Sequence, residues 1–454
     1  MLIDNLSRDV IEKTAMEAVL QGELDSNKLR EKALDYWEHT DTAQYIDKYF
    51  SGDTLTQVPI FTSGLTRQVC LARSLVYKKA PHYRCDPKYL QYTQGLWPKM
   101  NLLEQLTFLL GTIGLLTTWD QSKQQLRHDL LNFYEPLFLP GEKVPFGVVY
   151  QTETQGVSRA KSENHRYVLW TEGRDSEPGL HFSFDRNGNV YAPDNNPQMI
   201  NPYGDIIPVT WAHRNPPVRD WGNGSDGSDI VEANQQLDLA LTELALGLRF
   251  GAVGIRYATG VDDDELVSVS PDKMLMLPEG ASLGSVGPTT SLIDLIEAAK
   301  WMVSQALHNN SLRIKWADEK GNSPSGESLR VQEISTLEAR EQMAEMVWRP
   351  FEQERFNIDR RVLETRAGIS ISEDFSVDFV EPDIYFSPQE KREEWKFRWE
   401  NGLATKKDWF KSTFGEDFPD EEIERIISEA SESSSAETEP TNPLLQRLSA
   451  PVSG

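Results

Sequence analysis

Cysteine is almost absent: the 454-residue chain holds two, Cys70 and Cys85. The two can pair, but they make no disulfide framework, and so low a count points to folding in a reducing cytosol. Positive charge is also in deficit, with 46 Lys and Arg against 71 Asp and Glu and a formal net charge of −25. Free-standing duplex-DNA binders draw affinity from neutralising phosphates, so this surface as a whole does not grip DNA. A local basic patch, or an acidic wall past which DNA slides, is compatible with that balance. No phosphate loop of the form G-x-x-x-x-G-K followed by Ser or Thr occurs, which excludes a P-loop ATPase. No H-E-x-x-H or paired C-x-x-C spacing occurs either, and the seven histidines (His39, His82, His128, His165, His181, His213 and His308) form no ligand cluster in sequence. Nothing at the start reads as a signal peptide: Met1-Leu2-Ile3-Asp4 runs into polar, acidic sequence. The longest apolar run, Leu106 to Leu116, is too short to span a bilayer and reads as a helix end, a turn at Gly111 and Gly114, and a buried strand.

What is present suits a folded protein with a real core. Hydrophobic residues make up 39% and charged residues 26%, and the length suggests two to four structural units. The 12 Trp fit either a subunit interface or an aromatic-rich core. No internal repeat of fixed period occurs.

Periodicity orders the chain. In the polar first 50 residues, Leu29, Ala33, Tyr36 and Trp37 share one helical face. A helix over Thr66 to Lys79, closed by Pro81, carries Val69, Leu71, Ala72, Leu75 and Val76 as a buried stripe, and another over Leu102 to Leu110 stops at Gly111. From 112 to 212, short runs rich in Val, Ile, Tyr, Phe and Trp alternate with turns, and Asn187-Gly188 is a hairpin signal, so this section reads as antiparallel β. After the break at Asn215-Pro-Pro217 and Gly222 to Gly227, Ser228 or Asp229 caps a helix with Ile230, Leu237, Leu241, Leu244 and Leu248 on one stripe. A short β-like segment follows, Val253 to Pro288. A second helix, capped by Thr290 or Ser291, turns Leu292, Leu295, Ile296, Ala299, Met302, Val303 and Leu307 inward. Ser323-Pro324 opens a very long helical pattern to about Glu364, kinked or divided by Pro350 and ended by Gly368. Short strands over 369–371 and 375–380 and helices over 387–430, broken at Gly402, come next. Ser431 to Pro440 has the composition of a chain that does not fold, and a small apolar cluster at Pro443 to Leu448 closes the sequence. The fold class expected is α+β.

Three patterns invite a chemical reading. Gly222-Asn-Gly-Ser-Asp-Gly227 fits G-x-G-x-x-G, but Pro216, Pro217, Arg219 and Asp220 precede it where a dinucleotide site needs a buried strand, so a hinge is the better reading. Asp262-Asp-Asp-Glu265 reads as a solvated turn tip rather than a metal site. The basic segment Arg313-Ile-Lys315-Trp316, with Lys320 nearby, is the best local nucleic-acid candidate: the cations suit phosphates, and Trp316 can stack or pack. Asp318 and Glu319 dilute its charge, and an exposed loop explains the same residues.

The order of these pieces resembles the portal proteins of tailed bacteriophages. The resemblance rests on Arg67 to Pro81, ending Tyr77-Lys-Lys-Ala-Pro81; on Gly204-Asp-Ile-Ile-Pro-Val209; and on two helices around a short β segment between residues 226 and 308. It also rests on Ser325-Gly-Glu-Ser-Leu-Arg330 opening the long helix, on Glu338-Ala-Arg-Glu and Phe351-Glu-Gln-Glu within it, and on Asn401-Gly-Leu-Ala-Thr405 to Ile426. It covers nearly the whole chain, with 112–200 matching in general character only.

The resemblance implies a structural virion protein at one capsid vertex, made in the host cytoplasm and without enzymatic activity, cofactor, metal or membrane. Residues 1–226 would be a wing of helices and antiparallel strands. Residues 227–250 and 291–309 would be two stem helices and 251–290 a small β-containing clip. Residues 310–324 would be a tunnel loop, 325–386 a long kinked channel helix returning to the wing, and 387–454 a helical crown with the Ser/Glu-rich tail. The implied partners are eleven further copies in a twelve-membered ring, the major capsid protein, the terminase motor, a head-tail adaptor and double-stranded DNA bound without sequence preference. The clip residues Val261, Asp262, Asp263, Asp264, Met274 and Met276 would meet motor and adaptor, and Arg313, Lys315, Trp316 and Lys320 would touch DNA. Such a ring carries about −300 in charge (12 × −25), which would keep DNA mobile in the channel. The rival readings are a different virion assembly protein and a nucleotide-binding enzyme built on Gly222 to Gly227.

Overall fold

A computed structural model describes residues 7–22, 26–50, 60–152, 166–174, 177–193, 196–215, 221, 227–253, 255–259, 282–286, 292–312, 336–380, 388–405, 407–410 and 422–427. The chain divides into two compact units, Met1–Gly321 with Glu333–Pro382, and Asn322–Gln332 with Asp383–Gly454. The fold is α+β. In the first unit the described elements are helices α1 (Arg8–Gly22), α2 (Ser26–Glu38), α3 (Ala43–Asp47) and α4 (Leu65–Arg73), strand β1 (His82–Arg84), and helices α5 (Pro87–Tyr92) and α6 (Leu96–Leu110). Strands β2 (Thr112–Asp120), β3 (Gln125–Leu131), β4 (Tyr134–Leu137), β5 (Gly147–Thr152), β6 (Arg166–Thr171), β7 (His181–Asp185), β8 (Val190–Tyr191) and β9 (Val209–His213) follow. Then come helix α7 (Ser228–Val253), strands β10 (Ile255–Thr259) and β11 (Ser282–Val286), helix α8 (Leu292–Asn309), the long helix α9 (336–367) and strand β12 (Ser376–Asp378). The second unit holds helix α10 (Pro388–Glu400) and helical stretches at 407–410 and 422–427.

The β section is antiparallel throughout. β4-β5-β6-β7-β8 form one sheet and β3-β2-β9 another. Strand alternation sends Val149, Tyr167, Leu169, Phe182 and Phe184 to one face of the larger sheet, where α1 covers them with Ile11, Ala15, Ala18 and Val19, one stripe at helical spacing. Val148, Tyr150 and Trp170 face the other way, into a core shared with Tyr203, Phe356 and Val362. The hairpin β7–β8 turns at Gly188 with φ 83°, as Asn187-Gly188 foretold. Gly111 takes φ 75° and ends α6, but Gly114 is no turn. It sits inside β2 opposite Trp211, whose ring would stand 2.8 Å from an added Cβ, so the glycine makes room for an indole.

Several expected elements differ in extent. Helix α4 stops at Arg73 instead of running to Lys79, and Leu71 and Ala72 lie exposed. The cause is Glu104 on α6, fully buried, whose carboxylate accepts the backbone N–H groups of Val76 (3.0 Å) and Tyr77 (2.9 Å) and so replaces the last helical turn. On α2, Ala33 and Tyr36 are buried as expected while Leu29 is exposed, its place toward the core taken by Arg30, which reaches Asn132 O and Tyr134 Oη. Residues 369–371 form no strand. Only Ser376–Asp378 pairs, with β1, in a register that puts Tyr83 opposite Val377. The described part of the long helix begins at 336, so its expected opening at Ser323-Pro324 falls outside the described residues, as do Ser431 to Pro440 and Pro443 to Leu448. Pro350 does not break the helix. A π turn over Ala344–Trp348 precedes it and absorbs the lost N–H and the ring's bulk. Gly368, in the left-handed region at φ 67°, closes the helix through its N–H to Glu364 O.

α9 crosses the protein as a core element, and its inner face is charged. Glu352, Arg355 and Asp359 have no exposed side-chain surface. The Arg355 guanidinium donates to Glu352 Oε2 at 2.9 Å and to Asp359 Oδ2 at 2.6 Å. Tyr77 (2.7 Å) and Tyr83 (3.0 Å) donate to Glu352 Oε1. Asp359 receives Tyr89 at 2.7 Å and Thr117 at 2.9 Å, and His128 Nε2 lies 3.0 Å from its Oδ1. Burial alone would push the Asp359 carboxyl up, but His128 and Arg355 outweigh it and hold it below the usual carboxylate range.

Glu104 shows the opposite balance. Burial pushes its pKa up to about 7 in spite of the backbone N–H groups it accepts. A raised folded-state value means the native state holds a proton that the unfolded chain has already lost. This group's stabilisation is present in full below its ordinary value of 4.5 and is lost as pH rises through about 7. Stability measured by urea unfolding between pH 5 and pH 8 should therefore fall by about 2–3 kcal/mol more in the natural protein than in Glu104→Gln, which carries no titrating group. Equal slopes in the two proteins would exclude this role.

Candidate functional site

The feature that sets this chain apart from an ordinary α+β body is the hairpin of α7 and α8, which pack on each other and carry the antiparallel pair β10–β11 between them. α7 is 26 residues long, about 39 Å at ~1.5 Å per residue. Its apolar stripe begins as expected: Ile230, Val231 and Leu237 are buried in the core with Ala299, Val303 and Ala306 of α8. Among the described residues, no α7 side chain beyond Thr242 is buried. Leu248 is 51% exposed, and on α8 Ile293 is 69%, Ile296 40% and Trp301 64% exposed. Ile296 was expected to face inward. At 100° per residue, Ile293 and Trp301 fall about 110° and 170° from the face of Ala299, Val303 and Ala306, which meet the core, whereas Ile296 lies within about 20° of Val303 and is exposed because it sits nearer the outer end of α8, beyond Ala299. The hairpin thus has a buried root and an outer half that presents apolar side chains to solvent.

The root is held by polar contacts that the apolar pattern hides. Asn234, Asp238 and Thr242 lie at four-residue spacing on α7, all buried. Asn234 Oδ1 accepts Thr66 N–H at 2.8 Å and its Nδ2 donates to Ser63 O at 3.2 Å. Asp238 Oδ1 accepts Ser63 N–H at 2.7 Å, and Thr242 Oγ1 accepts Phe61 N–H at 3.1 Å. The N-terminal groups of α4 and the irregular segment before it are therefore capped by a neighbouring helix rather than by their own side chains. Burial raises the Asp238 pKa to about 6, against the donors from Ser63 and Asn234.

Gly227 explains the glycine loop. An added Cβ there would lie 1.7 Å from the Leu109 carbonyl oxygen, so backbone packing requires the glycine where α7 starts. Residues 222–226 lie outside the described residues, as do all the residues expected to meet partners: Arg313, Lys315, Trp316 and Lys320, and Val261, Asp262, Asp263, Asp264, Met274 and Met276. The described strands flank the latter group, with Thr259 opposite Ser282. Among the described residues no cluster of His, Cys, Asp and Glu could hold a metal ion, and no helix is long and apolar enough to cross a membrane.

A second surface feature lies on the outer side of α9, a cleft of about 580 Å³. Ile206, Ile207, Trp211 and Ile358 give it an apolar lining, with Val144 at its edge and Glu354 and Glu364 on its wall. Sequence reasoning missed it, because its walls come from segments more than a hundred residues apart. In the second unit, Phe397, Trp399 and Leu403 are exposed, and Arg398 lies 5.5 Å from the Trp395 ring centre.

No protein-family model and no curated protein matches the sequence. Solved structures do. The chain is similar, at 13% identity and a TM-score of 0.36, to a chain in the neck of an empty GTA particle computed with C6 symmetry, over 79% of this chain and 92% of that one. It is similar, at 14% identity and 0.37, to a chain of the virion of a native gene transfer agent (GTA) particle, over 81% and 97%. It is also similar, at 14% and 0.38, to a chain in the neck of a native GTA particle computed with C12 symmetry, over 78% and 90%.

The polar root is open to test. Asn234→Leu keeps the volume but leaves the Thr66 and Ser63 groups without their partners, and should cost about 2–4 kcal/mol in urea unfolding. Hydrogen exchange at the Thr66 amide should accelerate with it. A change below about 0.5 kcal/mol, the range of ordinary surface substitutions, would mean that water replaces Asn234 there.

Proposed function

We propose that this chain is the portal subunit of a tailed-phage-like particle: a non-enzymatic virion protein that closes into a ring, of twelve copies by the family resemblance, through which double-stranded DNA enters and leaves. The observation that carries this reading is the α7–α8 hairpin, rooted in the core at one end and apolar on the outside at the other. Leu248, Ile293, Ile296 and Trp301 are exposed together on one hairpin in a chain of net charge −25. A soluble monomer gains nothing from such a surface, whereas neighbouring hairpins around a ring would bury it. The element order agrees: a mixed body, a helix, a two-stranded β segment, a returning helix, a long helix and a small helical C-terminal unit.

On this reading the hairpin is the stem, and the segment between β10 and β11, with Val261, Asp262, Asp263, Asp264, Met274 and Met276, is the clip that meets the terminase motor and then a head-tail adaptor. The segment after α8, with Arg313, Lys315, Trp316 and Lys320, reaches DNA. The acidic surface keeps DNA from sticking and the few cations make passing phosphate contacts, so no base is read. The major capsid protein surrounds the ring.

Electron microscopy with native mass spectrometry of the purified chain tests the assembly. Rings of about twelve subunits around an open channel are expected. Trp301→Glu combined with Ile293→Glu should leave the melting temperature unchanged and weaken ring formation roughly tenfold or more; rings as abundant as those of the natural chain would remove the stem from the interface. A second expectation concerns DNA. Changing Arg313, Lys315 and Lys320 together to Ala should leave rings intact while particles package or retain less DNA. Unchanged DNA content would sink the contact role of that segment.

A further inference from the structure

We propose that the cleft on the outer side of α9 is a socket that receives the Lys78–Trp97 corner of a second copy of this chain, as a head-to-tail contact. The inference rests on the ring-forming reading for its context, but its evidence is separate from the stem.

The socket carries five carboxylates and two arginines in its lining. Its lining of Ile206, Ile207, Trp211 and Ile358 is apolar, and the two arginines beside it are engaged, Arg360 with Glu373 at 3.0 Å and Arg361 with Asp205 at 3.4 Å. Glu354 and Glu364 remain on the wall with no cation at ion-pair distance among the described residues. Solvent reaches Glu354, yet the cleft surrounds it with protein, and burial alone raises its pKa. An occupant that suits this site brings a cation for the carboxylate and a large apolar group for the lining.

The same chain presents that pair of groups. Trp97 is 42% exposed although its indole N–H donates to Tyr77 O at 2.9 Å, and the exposed Lys78 follows Tyr77 directly. Asn101 donates to the same carbonyl at 3.0 Å, so the corner is rigid. Trp is among the side chains most enriched at the centre of interfaces, and Lys78 beside it supplies the charge complementary to Glu354.

Position decides between a contact within one copy and one between copies. Tyr77 reaches Glu352 on the inner face of α9, the face that also carries Arg355 and Asp359. Glu354, Asn357, Arg361 and Glu364 fall about half a turn away, on the outer face. Corner and socket therefore lie on opposite sides of one rigid helix and cannot meet in the same chain. Two different patches on opposite sides define a heterologous contact, which on repetition gives a ring where the rotation between copies closes and an open filament where it does not.

The test uses the full-length chain with a photo-crosslinking p-benzoylphenylalanine in place of Trp97, mixed half and half from light and ¹⁵N-labelled protein. The expected result is crosslinks to segments 206–211 or 354–364 that join light to heavy chains. Crosslinks confined to one chain, or directed elsewhere, overturn the contact. Charge reversal supplies an independent reading. Glu354→Lys should weaken self-association roughly tenfold, and Glu354→Lys with Lys78→Glu should regain most of it. A double variant no better than its parents overturns the pairing. Rings without these crosslinks sink the contact and leave the proposed function standing. Light-to-heavy crosslinks in a species that is not a ring support the contact and count against the portal reading.

Discussion

The structure of the larger unit depends on one buried guanidinium. Arg355 sits between Glu352 and Asp359 on α9 with no exposed surface, and every oxygen of the two carboxylates is bound. Two buried anions and one buried cation leave one negative charge over, which would be costly in a dry interior. His128, at 3.0 Å from Asp359, and three tyrosine hydroxyls make up the difference in charge-assisted hydrogen bonds. The donors arrive from segments far apart in sequence: the stretch after α4, β1, α5, β2 and β3 all converge on this one helix face. A network like this adds little net stability over a well-packed apolar equivalent, but it tolerates one arrangement of its members, so it fixes where each segment meets α9.

That fixed position matters because α9 separates two kinds of surface. Its inner side is committed to the network, and its outer side forms a wall of the open cleft. The α7–α8 hairpin follows the same division at larger scale. Its first turns are tied by Asn234, Asp238 and Thr242 to the segment before α4, and the described apolar residues Leu248, Ile293 and Ile296 nearer its outer end are exposed. In both places a polar anchor sets geometry inside the chain, and apolar surface is left exposed. Hydrogen bonds specify and apolar area associates, which suits a subunit that must be rigid before it assembles.

Much of the fold was legible from spacing alone. The stripe from Ile230 through Leu237, the hairpin at Asn187-Gly188, the antiparallel character of 112–212 and the helix stop at Gly368 each rest on local periodicity or on a residue that only one backbone conformation accommodates. The misreadings share a cause. Helix α4 ends early because a carboxylate 27 to 28 residues away takes its next amides, Gly114 serves an indole across the sheet, and β12 finds its partner nearly three hundred residues upstream. None of these leaves a mark in local hydrophobicity. The charged face of α9 shows the limit most clearly: the i, i+3 and i+7 spacing of Glu352, Arg355 and Asp359 is equally that of a solvated helix side, and only long-range tyrosines and a histidine reveal them as core. For the candidate site the balance is similar. The hairpin was readable, whereas its polar root and the cleft were not.

Net charge constrains how such a chain can assemble. The acids that the fold neutralises internally, Glu352, Asp359 and Glu104 among them, are few beside the 71 in the sequence, so most of the excess lies outside the core. Copies of a −25 chain repel one another at long range, and salt screens that repulsion without creating attraction. Contact between copies must therefore come from surfaces where apolar area outweighs charge, or where a cation of one copy meets a carboxylate of the next. The outer hairpin is a surface of the first kind. A cleft with an apolar lining and a Glu354 unpaired among the described residues, set opposite a corner with an exposed Trp97 and Lys78, would, on the contact proposed above, combine both, letting an acidic chain bind its own copies selectively while its remaining charge repels other acidic molecules.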